Sequence, residues 1–425
     1  MPLHLTSPRK STGLLALGGC LVSSLAQAAF IDDSHLSLEL RNFYMNRDYR
    51  DAGLVDTPRH NGTSNAKAEE WAQGFMLRYT SGFTEGTIGV GLDAMGLLGI
   101  KLDSGGGTSG TGALRRNPLS GEPADEFGFF GPTAKLRLSD SVLTVGTHEP
   151  LLPVAFRNDT RLLPQTFEGA QIVSKEIAGL TLTGGRFTGT RLRDSSNYED
   201  MRMFADGSRG GVASDRFDYA GASYAVRPNL TATYFHAELR DNYRQHYGNL
   251  IHSQPLGGGV TLKSDIRYFD SSDEGRTNVD NRNLGAMFTL AYNGHALGFA
   301  YQDQSGDTGQ PFIAGGTDPW TLNTLTYHHF LRAKEDSWQV RYDYDFAAAG
   351  IPGLSLMTRY VQGDNFDIAG QSAKEWERDT DLAYVIQSGP LSGVSLRWRN
   401  LSYRGSHTTD IDENRLIVGY TFRFW

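Results

Sequence analysis

Basic side chains recur in this chain at alternate positions among apolar ones. Lys135 and Arg137 stand against Leu136 and Leu138, Arg397 and Arg399 against Leu396 and Trp398, and Arg415 against Leu416. Successive side chains of an extended strand point to opposite faces, so each stretch carries positive charge on one face and an apolar stripe on the other. A guanidinium stays protonated at any working pH, presents a two-pronged fork to a carboxylate and stacks on aromatic rings. The chemistry this allows is reversible capture of carboxylates. A carboxylate entering a narrow passage sheds hydration, an expensive step unless protein donors replace the water. Several moderate sites in series let such an anion both enter and leave, where one tight site would trap it. Arg397 and Arg399 have no acidic neighbour in their own strand, which reads as freedom to bind a solute; Arg341 beside Asp343 reads as neutralised.

The elements that must position these residues are strands. At the C-terminus Leu416, Val418, Tyr420, Phe422 and Phe424 alternate with Arg415, Ile417, Gly419, Thr421 and Arg423 before Trp425. Elsewhere Phe75, Leu77 and Tyr79 oppose Arg78, and Trp338, Val340, Tyr342, Tyr344 and Phe346 oppose Arg341, Asp343 and Asp345. A soluble sheet would turn the apolar face inward. A chain ending in an aromatic strand behind an export signal favours the inverse, with the apolar face to lipid and the arginines to a watery lumen. Tyr79, Tyr268, Tyr292, Tyr360 and Tyr384 lie near strand ends, as in interfacial aromatic girdles.

The export signal is legible at the other terminus. Arg9 and Lys10 precede an apolar run over 13–25, and Ala26-Gln27-Ala28 supplies a small-residue cleavage site. Residues 1–28 therefore read as a signal peptide cleaved near Ala28 and 29–425 as one barrel domain. Leu17-Gly18-Gly19-Cys20 is a loose rival, a lipoprotein box. Cys20 is the sole cysteine, so the exported chain has neither a disulfide nor thiolate chemistry. The chain has 50 glycines, 19 tyrosines and 22 phenylalanines, yet beyond the signal no apolar run reaches the roughly 20 residues of a spanning helix. Barrel strands need only about 9–11 residues with alternate ones apolar, which fits a chain that is polar on average. A net charge of −8 argues against nucleic acid as a partner.

Eight short breaks rich in Gly, Pro, Asn and Asp fall at 81–84, 139–141, 177–179, 227–229, 256–258, 293–295, 350–353 and 388–393. Between them lie nine longer polar connections, near 48–69, 96–126, 149–165, 191–213, 241–250, 271–281, 304–336, 364–378 and 405–412. Eight turns and nine loops join eighteen strands. Short turns at one rim and long loops at the other are the asymmetry of bacterial outer-membrane barrels. The expected fold class is therefore all-β, a transmembrane antiparallel barrel of about 18 strands.

Four other signals lead elsewhere. Gly89-Val-Gly91-Leu-Asp-Ala94 has dinucleotide-fingerprint spacing but sits in a strand and opens no helix, so its glycines read as serving barrel curvature. The run 105–112 lacks a phosphate-loop lysine and reads as a flexible external loop. His328-His329, read as strand neighbours, would face opposite ways and hold no metal. A serine-peptidase site is the rival from the enzyme class. His148, Asp206 and Ser305 have no triad-like spacing and no Gly-x-Ser-x-Gly elbow is present, so the chain reads as no enzyme, with neither cofactor nor catalytic residue.

The ordered set Leu40-Arg-Asn-Phe-Tyr-Met-Asn-Arg-Asp48, Trp71-Ala-Gln-Gly-Phe75, Ser81-Gly-Phe-Thr-Glu-Gly-Thr-Ile-Gly89, Arg161-Leu-Leu-Pro-Gln-Thr166, Tyr243-Arg-Gln245 with Tyr247, Trp338-Gln-Val-Arg-Tyr-Asp343, Val385-Ile-Gln-Ser-Gly-Pro390 and Arg415-Leu-Ile-Val418 resembles the OprD family of substrate-specific porins, also called Occ channels. The resemblance implies an 18-stranded barrel narrowed by inward-folded loops, with a ladder of basic side chains leading carboxylates to the constriction. Its rungs would be Arg47, Lys135, Arg137, Arg397, Arg399 and Arg415; a ladder lysine of some members falls near Ala383, where the rung is missing. The constricting loops would be 149–165 and 304–336, with Arg157, Asp159, Arg161 and Asp318 as eyelet groups. Substrates implied are small carboxylates, either aromatic and other monocarboxylates or basic amino acids and peptides. The Arg161-Leu-Leu-Pro-Gln-Thr-Phe167 loop and the aromatic C-terminus resemble the first group more. Implied partners are outer-membrane lipid, lipopolysaccharide and the barrel-assembly machinery of a Gram-negative cell, with the porin a monomer or weak trimer. A barrel with a plugged lumen serving as an adhesin is a third class, which conductance separates from a channel.

Overall fold

The computed structural model describes residues 30–50, 59–60, 63–315 and 317–425; the signal peptide and its cleavage site lie outside them. Eighteen antiparallel strands close into a barrel: β1 His35–Tyr49, β2 Lys67–Thr80, β3 Ile88–Asp103, β4 Glu126–Leu138, β5 Ser141–His148, β6 Thr166–Ser174, β7 Leu180–Arg191, β8 Phe217–Arg227, β9 Leu230–Leu239, β10 Tyr243–Gly257, β11 Val260–Asp273, β12 Asp280–Tyr292, β13 His295–Ser305, β14 Asp336–Asp345, β15 Leu354–Ile368, β16 Gln371–Val385, β17 Ser395–Gly405 and β18 Ile411–Arg423. The aromatic C-terminal strand pairs with the first one, from Ser37 opposite Arg423 to Tyr49 opposite Ile411, so no edge is left for lipid to meet.

The alternation read from the sequence sets the inside and the outside. Leu416, Val418, Phe422 and Phe424 are exposed on the outer wall, as are Leu136, Leu138, Val340, Leu396 and Trp398. Arg415 on the other face of β18 is fully buried. All eight short breaks join neighbouring strands. The Asn293-Gly294 pair turns with both residues at positive φ, 46° and 82°, the geometry that matches hairpin twist.

Two of the nine long connections are not loops. The chain over 241–250 and 364–378 continues as strand, and the reversals are tight, at Asp241 (φ 62°) and at Ala369-Gly370 (φ 52° and 78°). Beyond the lipid belt the outward face is polar too, with Arg244 and His246 on β10 and Lys374 and Arg378 on β16 exposed. The apolar rhythm that marks a strand in lipid is lost there, although Tyr243, Gln245 and Tyr247 still point inward and are buried.

The lumen is not uniformly polar. Phe167, Phe187, Phe217, Tyr219, Phe235, Tyr243, Tyr247 and Phe269 line one inner sector from β6 to β11 and pack against Val154, Met201 and Ile313 of inward-folded connections. On β1 to β4, Phe43, Met45, Met76, Leu97 and Phe127 hold Ala113, Leu114, Leu162 and Leu163. Burying a Phe or Leu side chain contributes about 1.5–3 kcal/mol, which is what draws the connections 104–125, 149–165, 192–216 and 306–335 into the barrel. The run 105–112 is accordingly no free external loop. Ser109 and Thr111 are buried, and Gly110 N–H and the Thr111 hydroxyl donate to the buried Glu70 carboxylate. Gly91 has a local task besides curvature: a Cβ there would stand 2.8 Å from the Lys135 side chain and 2.9 Å from the Gly82 carbonyl.

The wall predicts its own sensitivity. Val418→Arg, mid-stripe on the lipid face, is expected to lower stability by about 2–4 kcal/mol, while Thr421→Arg on the lumenal face changes it little. Denaturant titration of vesicle-inserted protein, read by heat-modifiable gel mobility, checks the contrast; equal loss from both variants would contradict the facing.

Candidate functional site

Five arginines on three adjoining strands converge on the polar part of the lumen. Arg41 and Arg47 come from β1, Arg415 from β18, and Arg397 and Arg399 from β17, where Arg399 lies directly opposite Arg415. They do not share one environment. Arg415 and Arg47 clasp the Glu413 carboxylate, with Arg47 Nη2 at 2.6 Å, and Arg47 also lies over the Tyr327 ring. Arg415 then donates from Nη1 to the Thr160 carbonyl at 3.1 Å and from Nη2 to the Thr326 carbonyl at 3.2 Å. It fastens two inward connections to the wall.

Arg397 and Arg399 face open space. Arg397 Nε lies 2.8 Å from Asp381 Oδ1 and Arg399 Nη2 lies 2.7 Å from Asp381 Oδ2, so two guanidinia share one carboxylate. The pair has no acidic neighbour in its own strand, as the sequence shows, but it does have an acidic partner on the adjoining one. Asp381 sits on β16, opposite Arg399 across the ladder, and cross-strand pairing cannot be seen from neighbours in sequence. The Arg397 side chain keeps 48% of its exposure, against 18% for Arg399. Both line two cavities. One of about 450 Å³ also has Arg41, Asp159, Arg161 and Ala383 in its walls; one of about 710 Å³ also has Arg341, Asp343 and Arg359. Ala383 faces the first cavity and brings no charge to it.

Lys135 and Arg137 lie in another sector, beside the turn after β2. Lys135 Nζ meets Asp93 Oδ1 at 2.5 Å and the Ser81 carbonyl at 2.9 Å, and Arg137 lies over the Phe83 ring. The four residues expected at an eyelet stand in the connections 149–165 and 306–335. Arg157 pairs with Glu149 at 3.1 Å, Asp159 with Arg41 at 2.7 Å, and Arg161 Nε donates to the Thr111 carbonyl. Asp318 accepts from Asn158 Nδ2 at 2.8 Å while its N–H donates to the Phe156 carbonyl, joining the connections 149–165 and 306–335. Burial pushes the Asp318 carboxyl up to about 6 against the pull of Arg193, Arg161 and Arg415.

Sequence reasoning missed Arg41, which shares the parity of Arg47, and an acidic stripe, Glu375, Glu377, Asp379 and Asp381, at alternate positions of β16. The stripe was hidden because its first half fell where a loop was expected. It anchors the connection 306–335: Glu377 accepts from the Tyr327 and His328 N–H groups at 2.9 and 2.8 Å, and Asp379 from the Thr326 hydroxyl at 2.8 Å. His328 and His329 therefore stand in this connection, not on a strand, and His328 Nε2 meets Glu375 at 2.7 Å. Of the peptidase candidates, His148 donates to the Gly169 carbonyl and Asp206 faces Arg332; neither contacts the other.

The model of the outer membrane porin, OprD family, matches residues 28–424. The chain belongs to the OprD family of outer-membrane porins. It is 40% identical over 412 residues to the porin-like protein GalP of Pseudomonas putida, covering 95% of this chain and 96% of that one. Crystal structures agree: OpdQ of Pseudomonas aeruginosa is 50% identical with a TM-score of 0.84 over 94% of this chain and 100% of OpdQ, and OpdK with vanillate is 40% identical with a TM-score of 0.85 over 93% and 100%. These relatives are porins, not enzymes, and this OprD-family porin carries the same closed barrel.

The raised Asp318 carboxyl gives the porin a pH signature. Its proton is held below about pH 6, where an ordinary aspartate would have released it, and is lost above. The region around Arg161 and Arg193 is thus more positive at pH 5 than at pH 7.5. Anion preference, measured as reversal potential across a salt gradient in planar bilayers, is expected to rise as pH falls through 6, and Asp318→Asn to flatten that step.

Proposed function

We propose that this porin is a passive uptake channel for small carboxylate-bearing solutes, above all aromatic and other monocarboxylates. The observation that carries the reading is the sharing of Asp381 by Arg397 and Arg399, both of which line a cavity of about 450 Å³ that Arg41 and Arg161 also line. Two guanidinia on one carboxylate leave one positive charge unmatched, facing water, and able to exchange Asp381 for a solute carboxylate. The solved structure of the relative OpdK with vanillate supports the same substrate class. Basic amino acids and peptides fit less well, because the lumenal acids Glu375, Glu377, Asp379, Asp381 and Glu413 are already held by arginines or backbone N–H groups.

In this reading the ladder is graded. Arg397, Arg399 and Arg41 bind solute, Arg47 and Arg415 hold the eyelet in shape, and Lys135 and Arg137 act at the exit in a neighbouring sector of the wall. The barrel, exported on residues 1–28, sits as a monomer or weak trimer among outer-membrane lipid and lipopolysaccharide, placed there by the barrel-assembly machinery.

A charge-assisted hydrogen bond is worth about 1.5–3 kcal/mol, partly offset here by pore water and by Asp381. Replacing both Arg397 and Arg399 by Gln, with Asp381→Asn added so that no lumenal carboxylate is orphaned, is expected to cut benzoate uptake into liposomes about tenfold, the effect of about 1.4 kcal/mol. Arabinose uptake should barely change. Parallel loss of both solutes would mean a damaged barrel, and no loss of either would leave the arginines a purely structural role.

A further inference from the structure

Thr160 and Arg161, at the tip of the inward connection 149–165, stand between two chambers. The 450 Å³ cavity with Arg397 and Arg399 lies on one side. On the other is a separate cavity of about 140 Å³, lined by Arg161, Arg193, Thr317, Asp318, Phe312 and His329 among others. Its walls come from the connections 149–165, 192–216 and 306–335, so it exists only once all three have folded into the barrel.

The charges here are poorly matched. Arg193 donates from Nη1 to Asn158 Oδ1 at 2.9 Å and to Thr160 Oγ1 at 3.3 Å. Arg161 donates from Nε to the Thr111 carbonyl at 2.9 Å and from Nη1 to the Thr160 carbonyl at 3.0 Å and its hydroxyl at 3.1 Å. Among the described residues the Nη2 group of each has no hydrogen-bond acceptor, and neither guanidinium forms an ion pair within 4.0 Å. The one carboxylate in the lining, Asp318, is turned to Asn158. His329 adds a second vacancy: its Nδ1 is sealed from solvent without a hydrogen-bond partner, while its ring packs edge-on against Phe312. Burial, with His328 and Arg193 nearby, pushes His329 down to about 3, so the ring is neutral and free to carry its proton on Nδ1 as a donor.

Two buried guanidinia with no carboxylate in direct contact are costly, even with Asp318 in the same cavity and Glu413 and Asp194 close enough to act on them, and a buried polar atom without a partner adds to that cost. One ligand resolves all three: an anion with two acceptor oxygens. A volume near 150 Å³ is enough for a benzene-sized body, and Phe312 and Leu325 supply an apolar side to the lining. We propose that this cavity is a docking site for a compact monocarboxylate, with the carboxylate on Arg161 and Arg193, His329 Nδ1 as a further donor and the apolar body against Phe312. The solute waits here before passing Thr160 to Arg397 and Arg399. This rests on the carboxylate-channel reading and adds to it a second, separable site that depends on Arg193.

The test uses the full-length purified protein and benzoate as probe. Benzoate should raise the thermal unfolding temperature of the wild type in a saturable way. In Arg193→Gln the half-saturating concentration is expected to rise about tenfold, whereas in the Arg397→Gln, Arg399→Gln, Asp381→Asn protein a saturable shift carried by the Arg193 site should remain. Arg193→Lys should recover part of the affinity, and His329→Phe, which keeps the packing on Phe312, should weaken it without altering gel mobility. A shift kept in Arg193→Gln but lost with Arg397 and Arg399 would overturn the docking site and leave the channel reading intact. Absence of any benzoate effect in the wild type, on stability or on uptake, would overturn both.

Discussion

The arrangement turns on the buried clasp of Arg415, Glu413 and Arg47. Glu413 is held by two guanidinia, and Arg415 reaches on to the carbonyls of Thr160 and Thr326, one from each of two inward connections. A buried arginine is stable only while its partners stay in place, and stripping one partner from a buried pair typically costs about 3–5 kcal/mol. The wall and both connections are therefore locked to a single geometry. Thr160 is the point where the two lumenal chambers meet, and its position follows from that lock.

The second constraint is apolar. A barrel this wide would leave a broad aqueous channel if every inward residue were polar. Here one inner sector is lined by Phe167, Phe187, Phe217, Tyr219, Phe235 and Tyr247 and covered by the connections that fold onto it. What stays open is the polar remainder, where Arg41, Arg341, Arg359, Arg397 and Arg399 face Glu39, Asp343, Asp379 and Asp381. Narrowing thus comes from hydrophobic burial, which leaves one charged sector of the lumen open.

Acids and bases divide the labour within that sector. On β16 Glu377 and Asp379 serve as acceptors for backbone and side-chain donors of the connection 306–335, which makes them scaffold. Asp381, the last of the stripe, instead divides itself between two arginines. The same residue type at the same spacing does two different jobs because the connection reaches three of the four positions and stops short of the last.

Strand parity, the short turns and the count of eighteen strands could all be read from the sequence. Those features depend on a period of two and on local turn chemistry, which are properties of neighbouring residues. The same parity put Arg397, Arg399 and Arg415 on the inner face, and the family resemblance pointed to the connections that carry Arg161 and Asp318. What the sequence alone did not determine were the partners. Asp381 is 16 residues from Arg397 and Glu413 is 366 from Arg47, and their pairing is fixed by the register of adjoining strands and by barrel closure. The inward fold of 105–112, the strands beyond the lipid belt and the cavity around Arg193 arise from packing between segments distant in the chain, which no local pattern encodes. Local alternation tells each strand which face meets lipid; only the closed barrel decides which charges on the other face are left without a partner.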